Sequence, residues 1–302
     1  MRKYQRPSTG LLEKTRPIGN KHRQIIRLGG QIANRDFYNP KYRIPLALGQ
    51  LADGRYAYFD LAKLPHMLIA GRTGCGKSVF IQSIIMSLFY RFAPTECKTL
   101  IIDTKDVDYN LWDDTPHMIT PVIHDANAGI NALKWVVEEI DARYERLEKA
   151  RVRTIVDYNQ ATASPMPYLV VIVDELADLM AESKYETETC VQQIAQKARA
   201  VGIHLILATG RPDAEIITGR IKAVLPTRAV FQARNPLESI MMLGEKGAEN
   251  LLSCGDMLFS DAGRTPVRIQ PAFVSDDEIA VVADHLCTQG RPDYIDGITD
   301  EE

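Results

Sequence analysis

The sequence predicts an α/β fold: a mostly parallel sheet with helices on both faces. Three observations predict it. Short, continuous apolar runs (HMLIA, TLIID, YLVVIV, IHLILAT) alternate with helical segments along the chain, and such runs mark strands that are buried on both faces, as in parallel sheets. The 302 residues, 45% hydrophobic and 25% charged, suffice for one large α/β domain with a small appendage. A glycine-rich octapeptide stands where the first apolar run gives way to a helical one, the setting in which such a loop cradles phosphates.

The net charge of −3 conceals an asymmetry: residues 1–43 carry eleven Lys/Arg and two acids, whereas the remainder carries 25 basic and 37 acidic residues. We divide the chain accordingly into a basic N-terminal arm, 1–43, and an acidic body, 44–302. Contacts with an anionic partner are expected at the arm or at individual loops.

Pro7, Pro17, Gly19, Gly29, Gly30, Pro40 and Pro45 predict an irregular start. Residues 44–61 read as a hairpin turning at Ala52-Asp53-Gly54. A strand at 66–71, a buried helix at 78–92 and a strand at 99–103 follow. A long amphipathic helix covers 128–151, the strongest strand 168–175, and a helix 189–202 ends at Gly202. Strands are expected at 203–209 and 227–233, with a closing pair within 257–274. Ser275 and Glu278 form a capping box for a last helix, 276–289. No apolar run is long enough to cross a bilayer, and Met1 to Gly10 lack the apolar core of a signal peptide. Cys75, Cys97, Cys190, Cys254 and Cys287 show no metal-ligand spacing and read as free thiols. A cytoplasmic protein is expected.

Gly71-Arg72-Thr73-Gly74-Cys75-Gly76-Lys77-Ser78, running on into Val79, fits G-x-x-x-x-G-K-[ST]. The glycines let the backbone curl so that its N–H groups face phosphates, at the positive end of the following helix. Lys77 is placed for the β- and γ-phosphates of ATP, and Ser78 for Mg²⁺. Asp174-Glu175 closes an apolar strand, where a carboxylate is costly unless it meets a cation or water. Asp174 is the expected metal-shell ligand and Glu175 the base for the attacking water; the alternative is that the pair only caps the helix from Leu176. Asp103 ends another strand, either near the nucleotide or in a local ion pair with Lys105.

With these residues assembled, the chain resembles the FtsK/SpoIIIE family. The strings PHMLIAGRTGCGKS, IIDTKDVDYNLW, VVIVDELADLM, QIAQKARAVGIHLILATGRPDAEIITGRIKAVLPTRAVF and GRPDYIDGI carry the resemblance from about Pro45 to Ile298. YQRPSTGLLEK and IRLGGQIANRDFYNP are similar to family segments between which the family has an extra subdomain, reduced here to a short connection.

The resemblance implies a RecA-like P-loop NTPase fold, a ring that is usually a hexamer, and ATP-driven movement of double-stranded DNA. It implies ATP sites at subunit boundaries, with Arg199 as the arginine acting on a neighbour's nucleotide and a solvent-facing helix charge as the alternative. It also implies that the loop after the fourth strand, from Arg211 to Lys222 and including Arg220, faces DNA. Full-length members continue into a winged-helix reader, so neither sequence-directed loading nor membrane anchoring is expected of this chain.

Two departures stand out. Gly210 occupies the place of a family Gln after Thr209, and Asn235 to Ile240 replace a stretch that carries a lysine and an arginine, leaving Arg234 as the nearby cation. The departures motivate a hydrolysis-impaired nucleotide-binding module as one alternative. A protein-secretion motor on the same fold is the other.

Overall fold

The computed structural model describes residues 5–11, 25–64, 66–105, 108–252, 255–261 and 264–300. Residues 1–4 and 12–24 of the basic arm, and Cys254, lie outside the described residues. Among the described residues, nine strands form one sheet: β1 (Pro45–Leu51), β2 (Tyr56–Asp60), β3 (His66–Ala70), β4 (Cys97–Ile102), β5 (Tyr168–Val173), β6 (Ile203–Thr209), β7 (Thr227–Val230), β8 (Met257–Ser260) and β9 (Val267–Gln270). Their order is β2-β1-β9-β8-β7-β3-β6-β5-β4. The segment β7-β3-β6-β5-β4 is parallel throughout, as the continuous apolar runs predict. β2, β1, β9 and β8 extend it as an antiparallel wing, so the expected hairpin and closing pair lie side by side.

The helices are α1 (Leu28–Ile32), α2 (Lys77–Arg91), α3 (Ala126–Lys149), α4 (Ile155–Ala161), α5 (Leu176–Lys197), α6 (Gly219–Val224), α7 (Pro236–Leu243) and α8 (Asp276–Cys287). Strand alternation divides the core. On β3, Met67 and Ile69 face one apolar cluster with α2 and α8, whereas Leu68 and Ala70 face a second with α3 and α5. Both faces are thereby covered.

The capping box at Ser275 and Glu278 is present. The irregular start contains α1, formed despite Gly29 and Gly30 because Leu28 and Ile32, one turn apart, are fully buried; tertiary burial overrides the weak helix preference of glycine. The helix expected at 189–202 begins at Leu176 instead and breaks at Ser183, whose φ of −147° is non-helical. Cys75, Cys97, Cys190 and Cys287 are free. Among the described residues, no helix is long and apolar enough to cross a membrane.

Parallel strands put all their C-terminal ends on one edge. That edge collects the glycine-rich loop after β3, Asp103 and Lys105 after β4, Asp174 and Glu175 after β5, and Gly210 after β6. The opposite edge carries Arg199, just ahead of β6.

His66 opens β3, and its Nδ1 accepts the Leu205 N–H at 3.1 Å. Burial pushes its pKa down to about 4. A depressed pKa in the folded state contributes stability that is full above the unfolded value near 6.5 and is lost as pH falls towards 4. Urea unfolding should show a loss of roughly 3 kcal/mol from this group across that window. The dependence should be shallower in His66→Gln; an equal slope in the variant would refute the assignment.

Candidate nucleotide site

The backbone of the phosphate loop is shaped by glycine. Gly71, Gly74 and Gly76 have φ of 154°, 77° and 104°. A Cβ on Gly71 would stand 2.7 Å from the Phe231 Cβ, so the loop is pressed against the end of β7. Gly74, by contrast, has nothing within 4 Å of its Cβ position and faces open space. Cys75 points inwards and is buried, which raises its thiol pKa. Arg72, Ser78 and Val79 are half-buried, and Thr73 and Gly74 are exposed. Lys77, at the first turn of α2, is 7% exposed. Its Nζ donates to the carbonyls of Gly71 at 3.0 Å and Arg72 at 3.1 Å. Burial lowers its pKa, against the pull of Cys75 and Glu175. This ammonium, held only by neutral carbonyls of a loop built of N–H groups, suits an anion.

Asp174 and Glu175 follow β5 and are 1% and 4% exposed. Tyr109 donates its hydroxyl to Asp174 Oδ1 at 2.9 Å. Lys105 Nζ lies 3.4 Å from Asp174 Oδ2 and 3.2 Å from Glu175 Oε2. Burial raises the Asp174 pKa, opposed by Lys105 and by the Tyr109 hydrogen bond. Burial also acts to lower Lys105, but the two carboxylates outweigh it and hold the ammonium above its ordinary value. Burial, reinforced by Asp174, keeps the Tyr109 phenol protonated.

Glu175 Oε1 accepts from Thr209 Oγ1 at 2.7 Å, and both its oxygens lie 3.1 Å from the Gly210 N–H. Glu175 also occupies the N-cap position of α5, but it makes no side-chain capping bond there. A Cβ at Gly210 would meet Thr73 Oγ1 at 3.0 Å, Glu175 Oε2 at 3.2 Å and Lys77 Nζ at 3.5 Å. Gly210 therefore joins the phosphate loop to the carboxylate.

The structure places Lys77, Asp174 and Glu175 on one edge of the sheet, with companions that the sequence analysis did not identify. Of the two readings of Asp103, the local ion pair with Lys105 is replaced, since Lys105 reaches Asp174 and Glu175; Asp103 stands on the nucleotide edge, where its carboxylate accepts the backbone N–H groups of Lys105 and Asp108 at 3.1 and 3.2 Å. Tyr109 and Thr209 had no sequence signal beyond standing near strand ends. Arg199 is exposed at the far edge, in a cleft of about 640 Å³ shared with Arg43, Tyr144 and Asp157. Arg211 lies 3.7 Å from Asp178, whose other oxygen accepts from Thr104. Arg220 and Lys222 sit on α6 rather than on an irregular loop; Arg220 pairs with Glu188 at 3.7 Å, and Lys222 lies against Met241.

A parallel sheet with a glycine-rich loop, a buried lysine and paired carboxylates on one edge defines a P-loop ATPase core. The chain belongs to the FtsK/SpoIIIE family, which its residues 28–166 and 160–214 match. It is 42% identical to the DNA translocase FtsK of Brucella melitensis over 94% of this chain and 39% of that protein. It is also 42% identical to the DNA translocase FtsK of Haemophilus influenzae, over 92% of this chain and 58% of that one. The chain thus spans less than two-thirds of the length of these relatives.

Solved structures with the same fold include the pCW3 conjugation coupling protein TcpA with ATPγS, at a TM-score of 0.75 and 23% identity over 92% of this chain and 81% of that one. The cytoplasmic domain of the Thermomonospora curvata type VII secretion ATPase EccC gives 0.79 and 22% over 92% of this chain and 36% of that one.

Thr209→Val keeps the shape but removes one donor to the buried Glu175 and the acceptor of the Arg211 N–H at 3.0 Å. Loss of this buried hydrogen bonding should destabilise the protein by about 1–3 kcal/mol in chemical denaturation. An unchanged midpoint would show that Thr209 is not part of the carboxylate's support.

Proposed function

We propose that the chain is the motor of an ATP-driven double-stranded DNA translocase, acting in the cytoplasm as a ring of six copies that closes around the duplex. One observation carries this reading: Glu175 is bonded to Thr209 and Gly210, and the chain runs on from them into the segment of Arg211, Arg220 and Lys222. The carboxylate assigned to activate water is thereby hydrogen-bonded to the start of the segment assigned to DNA.

In this reading ATP lies along residues 71–79, with Lys77 on its β- and γ-phosphates. The residues fit a metal as well: Asp174 is a buried carboxylate at the strand end and Ser78 carries a hydroxyl at the start of α2. A bound Mg²⁺ supplies positive charge to the phosphate oxygens. Glu175 takes the proton of the attacking water, and Arg199 of a neighbouring copy stabilises charge on the transferred phosphate. Arg211, Arg220 and Lys222 grip duplex phosphates without reading bases. The basic residues of 1–43 add a second anionic contact beside the domain 44–302. The secretion alternative is supported by likeness of fold at 22% identity, whereas the DNA translocase relatives reach 42%.

ATP hydrolysis measured with and without linear duplex DNA tests the reading. Duplex should stimulate turnover and bind less tightly as salt rises. Glu175→Gln should bind ATP but lose roughly 10²–10⁴-fold in turnover. Absence of duplex binding at low salt with an ATP analogue would overturn the DNA assignment and favour protein translocation.

Mixing inactive Arg199→Ala subunits with inactive Lys77→Ala subunits should restore some hydrolysis, because a boundary with both groups intact then forms. Robust turnover by demonstrably monomeric protein would exclude a role for Arg199 across the boundary.

A further inference from the structure

We propose that Lys105 is a displaceable internal counterion: in the nucleotide-free chain its ammonium takes the place of the divalent cation between Asp174 and Glu175, so that metal enters only when Lys105 leaves. The inference rests on the reading of this edge as a metal-dependent nucleotide site.

Geometry carries the inference. Every oxygen of the two carboxylates has a donor. Asp174 Oδ1 takes the Tyr109 hydroxyl and Oδ2 takes Lys105. Glu175 Oε1 takes Thr209 and Gly210, and Oε2 takes Gly210 and Lys105. Lys77, the other cation of the site, is turned to the Gly71 and Arg72 carbonyls. The ammonium that bridges both acids is therefore that of Lys105, and two adjacent buried carboxylates require one.

Its mounting suits a removable plug. The acids have side chains 2% and 5% exposed, whereas that of Lys105 is 42% exposed and has a path to solvent. Its own backbone N–H is anchored, and so is Asp108. Asp103 holds the N–H groups of Lys105 and Asp108, Gln82 of α2 donates to the Asp108 carbonyl, and Trp112 donates to Gln82 at 2.7 Å. The side chain can swing out while its anchor stays in place.

A divalent cation brought to Asp174 meets this ammonium at close range, and the two repel. ATP changes the balance by bringing its own negative charge, which accommodates both the metal and a displaced lysine. Lys105 is thus a positioning residue that couples metal entry to nucleotide entry, and it holds Glu175 on Thr209 and Gly210 until then.

The test is Mn²⁺ binding to the nucleotide-free chain, read by electron paramagnetic resonance. Lys105→Met should bind Mn²⁺ at least about tenfold more tightly than the parent, because the competing charge is gone. Lys105→Arg should retain the parent's weak binding, and adding Asp174→Asn to Lys105→Met should abolish the gain. If circular dichroism shows that Lys105→Met does not fold, the neutral, polar Lys105→Gln takes its place with the same expectation. The proposal is overturned if the neutral variant binds Mn²⁺ no better than the parent, if Lys105→Arg gains as much, or if the gain survives Asp174→Asn. Binding of Mg·ATPγS to the parent, measured in parallel, tests the nucleotide reading itself. Its failure alone would strike that reading, whereas the Mn²⁺ comparison on nucleotide-free protein strikes the role of Lys105.

Discussion

The adjacent carboxylates of Asp174 and Glu175, buried where β5 ends, constrain everything else on the nucleotide edge. A buried charge is tolerated only when partners replace the water it has lost. β5 alone supplies none. The partners come from the strands on either side: Lys105 and Tyr109 from the segment after β4, and Thr209 and Gly210 from the end of β6. This requires β4 and β6 to flank β5 in parallel, with their C-terminal ends aligned, as the order and register place them. The site and the sheet topology are one requirement seen at two scales.

Gly210 shows how a missing side chain reshapes that arrangement. Its own N–H lies 3.1 Å from both oxygens of Glu175, and the space beside it is taken up by Thr73, Glu175 and Lys77. A long side chain at this position would have to leave that space, and the family's glutamine would make its contacts from elsewhere. In this chain the link from Glu175 to the segment beyond β6 runs through the Gly210 N–H and through the Thr209 hydroxyl, which donates to Glu175 and accepts from the Arg211 N–H.

Much of this was legible in sequence because the signals were local. The continuous apolar runs gave four of the five parallel strands, β3 to β6, since period and length suffice to recognise strands buried on both faces. The glycine-rich loop was legible for the same reason: its chemistry is set by eight consecutive residues. Lys105 was not. Its sequence neighbour Asp103 was one partner that spacing offered, but Asp103 accepts from the loop backbone, and the register of β4 beside β5 brings Lys105 to Asp174 instead. Tyr109 and Thr209 were hidden by the same non-local pairing. α1 was missed because its two glycines argue against a helix, and only burial of Leu28 and Ile32 explains it. The placement of β1 beside β9, more than two hundred residues later, had no local signal.

Arg199 gives the topology its last consequence. It precedes β6, whereas Gly210 follows it, and the seven residues between Ile203 and Thr209 span about 20 Å at the usual rise of a strand. The guanidinium and the phosphate loop of one chain therefore stand at opposite edges of the same sheet. No rotamer of a single side chain bridges that distance, so a role for Arg199 in phosphate chemistry requires the loop of another copy. On the proposed reading the two cations have separate tasks: Lys105 compensates the carboxylates from within the chain, and Arg199, at the far edge, reaches a phosphate only from another copy.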